Sequence, residues 1–470
     1  MIPLPLREVA AITSGVLHSP TGDDVSGVVV DGPVVTDSRE TGPGSLYVAR
    51  VGESADGHCF AGSARDLGAV AALTTRPLED LPCVVVPDVQ DAFAALARAL
   101  LDRSPDLTVI GVTGSSGKTS TKDLLASVLA RHGETVANTG SLNSEVGVPL
   151  TVTRITPTTR YLVVEMGARG VGHIDYLTRI APPAVGVVLN VGTAHMGEFG
   201  SREAIGEAKS ELVRALPATG VAVLNLDDPV VAAMRSRTDA RVVGVGETAS
   251  ADVRATDIRL DEAGRPSFTL AAAGGEAPVR LGLHGEHHVG NALAVAAVAL
   301  TVGMTVEQVA AALGEARPAS RWRMEVHERA DGVTVVNDAY NANPDSMRAA
   351  LKALAAMGRA RRTWAVLGEM LELGADSVSE HDAIGRLAVR LDIKRLLVVG
   401  EGARPIDSGA RQEGSWGQES AWVPDADAAH ELLSRELRDG DVVLLKSSRD
   451  AGLRWLGDRL IDLPEGESPS

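Results

Sequence analysis

A glycine-rich turn held between an apolar run and an amphipathic helix constrains this chain more than any other feature. Leu107–Thr113 reads as a buried strand, and Gly111-Val-Thr-Gly-Ser-Ser-Gly-Lys118-Thr119-Ser120 continues from it. Over Lys118–Arg131, Leu124, Leu125, Val128 and Leu129 recur at helical spacing. A strand, a glycine turn and a helix start form the setting of a phosphate-binding loop. Gly114 and Gly117 let the backbone come close to a phosphate, and the N–H groups of the turn, through Ser115, Ser116 and Ser120, cradle it at the helix N-terminus. Lys118 is placed to pair with the β- and γ-phosphates and Thr119 to ligate Mg²⁺. Val112 stands where the strict nucleotide-loop pattern has its first glycine. The plain alternative, a chance Gly/Ser-rich turn, does not account for the strand and helix that flank it.

Apolar runs and amphipathic stretches alternate around this motif. Tyr161–Met166, Val185–Asn190 and Gly220–Asn225 read as buried strands, and Arg202–Leu216 reads as a helix. The alternation predicts a parallel sheet covered on both faces. From Pro318 a second series begins. Ala330-Asp-Gly332 marks a hairpin turn, followed by strand-like runs Val333–Val336, Trp364–Leu367, Leu396–Val399 and Val442–Leu445. Asn343-Pro344 is a helix start, with Asn as cap and Pro at the first helical position. The first hundred residues mix short strands (Gly27–Val30, Ser45–Ala49, Val84–Val86) with Gly/Pro turns, and Ser104-Pro105-Asp106 reads as a linker.

The expectation is an α/β chain of three domains: a small N-terminal α/β domain over 1–105, a central parallel-sheet domain over 106–317 and a doubly wound domain over 318–470. A length of 470 residues suits roughly 100–200 residues per domain. The tail from Leu463 is polar and reads as disordered.

A net charge of −17 argues against a duplex-binding surface, so no nucleic-acid partner is expected. The longest apolar stretch, Ala292–Met304, is too short to span a bilayer. Met1–Ala11 carries Arg7 and Glu8 and lacks the apolar core of a signal peptide. Cys59 and Cys83 match no metal-ligand spacing and read as reduced thiols. A soluble, cytoplasmic monomer is the expectation.

Two residues stand at the carboxyl edge of the central sheet, where ligands of α/β proteins bind. Glu165 ends its strand just before Gly167, and His195 follows the strand Val185–Asn190. Each alone reads as well as a surface acid or a satisfied loop histidine. Beside a phosphate loop they become candidate Mg²⁺ ligands. On the helix Arg202–Leu216 the apolar stripe runs Ile205, Lys209, Leu212, Leu216, which places an ammonium in a slot facing the sheet. Burial depresses such a pKa, and a neutral amine adds CO₂ to give a carbamate, an anionic oxygen ligand. The alternatives are a lysine snorkelling from the stripe edge or one paired with Glu165.

Several separated motifs together resemble the Mur ligases over nearly the whole chain. They are Gly111–Ser120, Asn143-Ser-Glu-Val-Gly-Val-Pro149, Glu165-Met-Gly167, Asn190-Val-Gly-Thr-Ala-His195, Lys209, Gly285-Glu-His-His-Val-Gly-Asn291, Arg323-Met-Glu325, Asn337-Asp-Ala-Tyr-Asn-Ala-Asn-Pro344, Gly368-Glu-Met-Leu-Glu-Leu-Gly374 and Lys446-Ser-Ser-Arg449. Within the family, Asn337–Pro344 and Gly368–Gly374 resemble the member that joins D-alanyl-D-alanine to a UDP-N-acetylmuramoyl-tripeptide. Asp37-Ser38-Arg39, Leu46–Ala49 and Asp56–Phe60 resemble its UDP-binding domain.

The resemblance implies a UDP-muramoyl-binding first domain, an ATP-binding central domain and a Rossmann-like third domain. It implies a cytoplasmic ligase of peptidoglycan synthesis that uses ATP and two Mg²⁺ ions. Thr119 and Glu165 would hold one ion, and His195 with carbamylated Lys209 the other. Asn291 would lie against adenine, and Arg323 and Asp338 would reach ATP from the third domain. Ser38, Arg39 and Asn143 are the implied contacts to the muramoyl substrate, and Asn341 and Asn343 lie toward the dipeptide. For Ser38 and Arg39 a plain turn capped by Asp37 stays open. For Asn341 and Asn343, turn and cap chemistry stays open. The family's Gly-x-His-Asn-x-x-Asn pattern has His288 in place of its first Asn. Two rivals remain: a ligase of the superfamily with another acceptor or amine, such as one adding glutamate to folate, and a phosphate-loop switch without catalysis.

Overall fold

The computed structural model describes residues 1–52, 55–192, 196–414 and 419–461. The central element is a nine-stranded sheet. From one edge its strands run Thr135–Ala137, Tyr161–Glu165, Thr108–Thr113, Val185–Val188, Val221–Asn225, Arg241–Gly246 and Val253–Leu260, all parallel. Pro266–Ala272 and Gly275–Arg280 then extend it antiparallel. Thr135–Ala137, Arg241–Gly246 and Val253–Leu260 lie outside the apolar runs read as strands, whereas the other four parallel strands agree with those runs. The antiparallel extension does not, and it corrects the wholly parallel expectation. Its outer strand Gly275–Arg280 alternates buried and exposed residues, because one face meets solvent.

Alternate side chains of the central strands enter opposite cores. Leu162 and Val164 pack on one face, Val163 and Val112 on the other. The first of these cores continues without a break into the N-terminal region through helix Val89–Asp102, whose Phe93, Leu96 and Leu100 are fully buried. That region carries a five-stranded sheet including Ser45–Val48, Ala69–Thr74 and Cys83–Val85.

The third sheet has six strands. Thr334–Asn337, Val442–Lys446, Thr363–Leu367, Arg395–Val399 and Ser420–Val423 are parallel, and Glu325–Glu328 pairs antiparallel across the expected turn. Its two faces have separate cores, one around Leu351 and Leu444, the other around Trp364 and Leu445. Helix Pro344–Met357 starts as expected: Asn343 Oδ1 accepts from Ser346 N–H, and Ser346 Oγ accepts from Asn343 N–H.

Register fixes what stands at the sheet edges. Glu165 pairs with Val112 and Val188 with Thr113, so the ends of three strands and the glycine turn share one edge. Across from it stand the carboxyl ends of Thr334–Asn337 and Val442–Lys446. A cleft of about 1160 Å³ lies between the two edges.

Candidate active site

The glycine turn is built as its sequence requires. Gly117 has φ +78°, and a Cβ there would lie 2.7 Å from Asn291 Oδ1, so both conformation and space exclude a side chain. Asn190, on the neighbouring strand's exit, grips the turn: its Oδ1 accepts from Ser115 N–H at 3.0 Å and Ser116 N–H at 2.9 Å. Lys118 begins the helix Lys118–Leu129, and its Nζ donates to Gly114 O at 2.8 Å. Burial holds the Lys118 amine below its usual range, Glu165 opposes that shift, and Arg323 adds to it.

Thr119 and Glu165 meet at the foot of the turn. Thr119 Oγ1 donates to Glu165 Oε2 at 2.8 Å, and both residues are buried. Asn143 Nδ2 donates to Glu165 Oε1 at 2.6 Å, and Asn138 Oδ1 accepts from Glu165 N–H at 2.6 Å. Mg²⁺ prefers oxygen ligands at roughly 2.1 Å in an octahedron, whose neighbouring oxygens are then about 3 Å apart. The hydroxyl and carboxylate oxygens therefore fit that ion in type and spacing. Among the described residues no group of three His, Cys, Asp or Glu is gathered for a metal. A magnesium site completed by phosphate oxygens and water needs none.

Lys209 is 5% exposed on helix Arg202–Arg214, flanked by Ile205 and Leu212, both fully buried. This excludes a snorkelling side chain. Neither a hydrogen bond nor an ion pair joins it to Glu165, whose oxygens are taken by Thr119 and Asn143. Burial, and then the charge of Lys118, bring the Lys209 pKa down to about 7. His195 lies outside the described residues.

The third unit supplies the opposite wall. Asp338 Oδ1 accepts from Met324 N–H at 3.0 Å, and Lys446 Nζ donates to Asp338 Oδ2 at 2.6 Å. Arg323 lies with its guanidinium 4.2 Å from the centre of the Tyr340 ring, and its Nε is buried without a hydrogen-bond partner. Asn291 and His288 are buried side by side, Asn291 Nδ2 donating to His288 Nδ1 at 3.3 Å. Burial holds the His288 imidazole well below its usual range, so it is neutral.

Ser115, Ser116, Gly117, Lys118, Thr119, Ser120, Asn143, Glu165, Asn291, Arg323, Asp338, Asn341 and Asn343 all line the cleft. Gly114 lies just behind it, its carbonyl holding Lys118. Ser38 and Arg39 do not line it: Asp37 caps their turn and binds the Arg39 guanidinium at 2.6 Å. Asn343 spends its Oδ1 on the helix cap, and Asn341 Oδ1 accepts from Ala342 N–H. Sequence reasoning missed Asn190, Tyr340 and Lys446 as site residues. Lys446 carried the signal already used for Glu165, a charge ending an apolar strand at the carboxyl edge. His381 is a core histidine, fully buried, with Nε2 accepting from Met370 N–H at 2.9 Å.

Residues 112–299 match the model of the Mur ligase middle domain, and residues 322–449 match that of the Mur ligase, glutamate ligase domain. The UDP-N-acetylmuramoyl-tripeptide–D-alanyl-D-alanine ligase of Mycobacterium tuberculosis is 51% identical, over 98% of this chain and 98% of its own. Among solved structures, MurF from Acinetobacter baumannii superposes with a TM-score of 0.87 at 32% identity, covering 98% of this chain and 99% of that one. MurF ligase from Thermotoga maritima in complex with ADP gives a TM-score of 0.79 at 30% identity, over 92% of this chain and 97% of that one.

Proposed function

The chain belongs to the Mur ligase family, and from that premise we propose that it joins D-alanyl-D-alanine to UDP-N-acetylmuramoyl-tripeptide using ATP. The product is the pentapeptide precursor of peptidoglycan, with ADP and phosphate. The observation that carries this reading is the oxygen pair Thr119–Glu165 beside the glycine turn, faced across one cleft by Arg323, Asp338 and Lys446. A nucleotide switch has no need of that second wall.

In this reading the tripeptide's terminal carboxylate attacks the γ-phosphorus of ATP, giving an acyl phosphate and ADP. The dipeptide amine attacks the acyl carbon and gives up a proton, and phosphate departs with the carboxylate's former oxygen. Lys118 and the N–H groups of Gly114–Ser120 hold the triphosphate and offset the repulsion between two anions. Thr119 and Glu165 would hold one Mg²⁺, and His195 with carbamylated Lys209 a second. Bound there, the ions supply positive charge to the phosphate oxygens. Lys209 takes up CO₂ by forming an N–C bond and losing a proton, which its burial and depressed pKa favour. Asn291 lies toward adenine, and Arg323 and Asp338 toward the nucleotide from the opposite wall.

Ser38 and Arg39 are assigned to the uridine end of the substrate, Asn143 to its peptide end, and Asn341 and Asn343 to the dipeptide. The boundaries 1–105, 106–317 and 318–470 are assigned as muramoyl-substrate, ATP-binding and third domains. A cytoplasmic location suits the nucleotide substrates, and no helix among the described residues is long and apolar enough to cross a membrane. One chain furnishes both walls of the cleft, which suits a monomer.

An amine screen tests the proposal. With ATP and a UDP-muramoyl tripeptide, D-alanyl-D-alanine should release phosphate one-for-one with product. Equal turnover with glutamate on a folate acceptor, or phosphate release with no amine at all, would overturn it.

A further inference from the structure

Two segments from opposite sides of the cleft meet at one pair of hydroxyls. Tyr340 lies in the segment that leaves strand Thr334–Asn337, and Ser141 in the turn after strand Thr135–Ala137. Their side chains are hydrogen-bonded across 199 positions of sequence.

On the central side, the turn 138–143 is the frame of Glu165. Asn138 holds the Glu165 backbone, and Asn143 holds its carboxylate. Gly167 N–H donates to Asn143 O at 3.0 Å, and the buried Lys122 donates to Asn138 O at 2.8 Å. The base of the turn is thus tied to the sheet, while its tip is held by bonds within the turn, Leu142 N–H to Thr139 O and Asn143 N–H to Ser141 O, and the Leu142 side chain is 42% exposed. A shift of the tip is passed to Glu165 through Asn143.

On the third unit's side, the Tyr340 ring is fixed before it reaches across. Arg323 covers it at 4.2 Å and Arg449 at 5.9 Å, and it stacks on Trp322 with 6.5 Å between centroids. Tyr340 N–H donates to Trp322 O at 3.2 Å. Trp322 and Met324, on either side of Arg323, hold φ of +58° and +49°, a region that residues with a Cβ rarely adopt. Such conformations persist where surrounding contacts fix them, and here those contacts orient the Tyr340 ring.

We infer that Tyr340 is a positioning residue for the reaction: through Ser141 it sets the turn 138–143, and so the Glu165 carboxylate, in register with the third unit. The inference rests on the reading of Glu165 as a magnesium ligand. It gives Tyr340 a role through its hydroxyl, separate from any stacking by its ring.

Tyr340→Phe keeps the ring and its cation contacts and removes only the hydroxyl, and Ser141→Ala removes the other partner. Each should lower kcat roughly tenfold, as expected for one lost hydrogen bond at a partly buried site. KM for ATP and for the dipeptide should stay within about twofold, and half-saturation by Mg²⁺ should rise. The double variant should be no worse than either single one, and Ser141→Thr should retain activity. Melting temperatures of all variants should match the parent. Unchanged kcat, or losses that multiply in the double variant, would overturn the inference. Glu165→Gln serves as the separate control. If it keeps normal magnesium-dependent turnover, the metal reading itself fails. If it is inactive while the Tyr340–Ser141 losses multiply, only the positioning role falls.

Discussion

Thr119 Oγ1 and Glu165 Oε2 stand 2.8 Å apart, one from the first turn of a helix and the other from the last residue of the neighbouring strand. Both belong to regular elements, so the spacing is set by the sheet register and the glycine turn. Glu165→Gln keeps the size of the side chain and removes its charge. Its kcat should fall at least about a hundredfold, in the range seen when one electrostatic stabiliser is lost. Phosphate release measured against Mg²⁺ concentration checks this, and a wild-type curve would count against the site.

Lys209 titrates near neutrality because its burial, and next the charge of Lys118, disfavour the ammonium. The sign follows. Below about pH 7 the amine is protonated and has no free pair for CO₂, whereas above it the neutral form dominates. Turnover at limiting CO₂ should therefore rise with pH through that value, and added bicarbonate should raise it further. Lys209→Ala should abolish turnover, and short carboxylates such as acetate should restore part of it. A variant with undiminished activity would remove the carbamate from the account.

Gly192 lies under the start of helix Pro344–Met357, where a Cβ would come within 1.9 Å of Asp345 Oδ2. Gly192→Ala should displace the Asp345 carboxylate from its place against the glycine turn. The expected result is a fall in kcat, while ADP binding to the central unit stays within about twofold. Stopped-flow or calorimetric ADP binding beside steady-state rates separates the two effects.

Asn343 has two assignments that one substitution distinguishes. Asn343→Ala removes the helix cap and should cost about 1 kcal/mol of stability. Asn343→Asp retains the acceptor and loses the amide N–H groups. It should melt like the parent but raise KM for the dipeptide, with KM for ATP unchanged. An unchanged dipeptide KM would leave Asn343 a cap alone.

The parts that were legible in the sequence are those with local signatures. Val163 and Val112 sit in strands whose unbroken apolar runs announce burial on both faces, and Asn343-Pro344 announces its helix by cap chemistry. Lys209 was visible in its buried slot from helical spacing alone. Val253–Leu260 and Gly275–Arg280 were not read because their buried positions alternate with polar or exposed ones, and Gly275–Arg280 is also the edge strand of the sheet. Tyr340 and Ser141 were invisible for another reason: their bond joins two units, and no periodicity near either residue reports it. Asn190 lay within a quoted motif, but its grip on the turn depends on the strand order that places Val185–Val188 beside Thr108–Thr113.

The fate of one oxygen tests the central claim, that a carboxylate is activated by phosphoryl transfer at the Gly114–Ser120 turn. The tripeptide's terminal carboxylate is labelled with ¹⁸O, and the inorganic phosphate released with D-alanyl-D-alanine is weighed by mass spectrometry. The account predicts one ¹⁸O atom in each phosphate, and no labelled phosphate from Lys118→Ala. Phosphate carrying only solvent or ATP oxygen would contradict it.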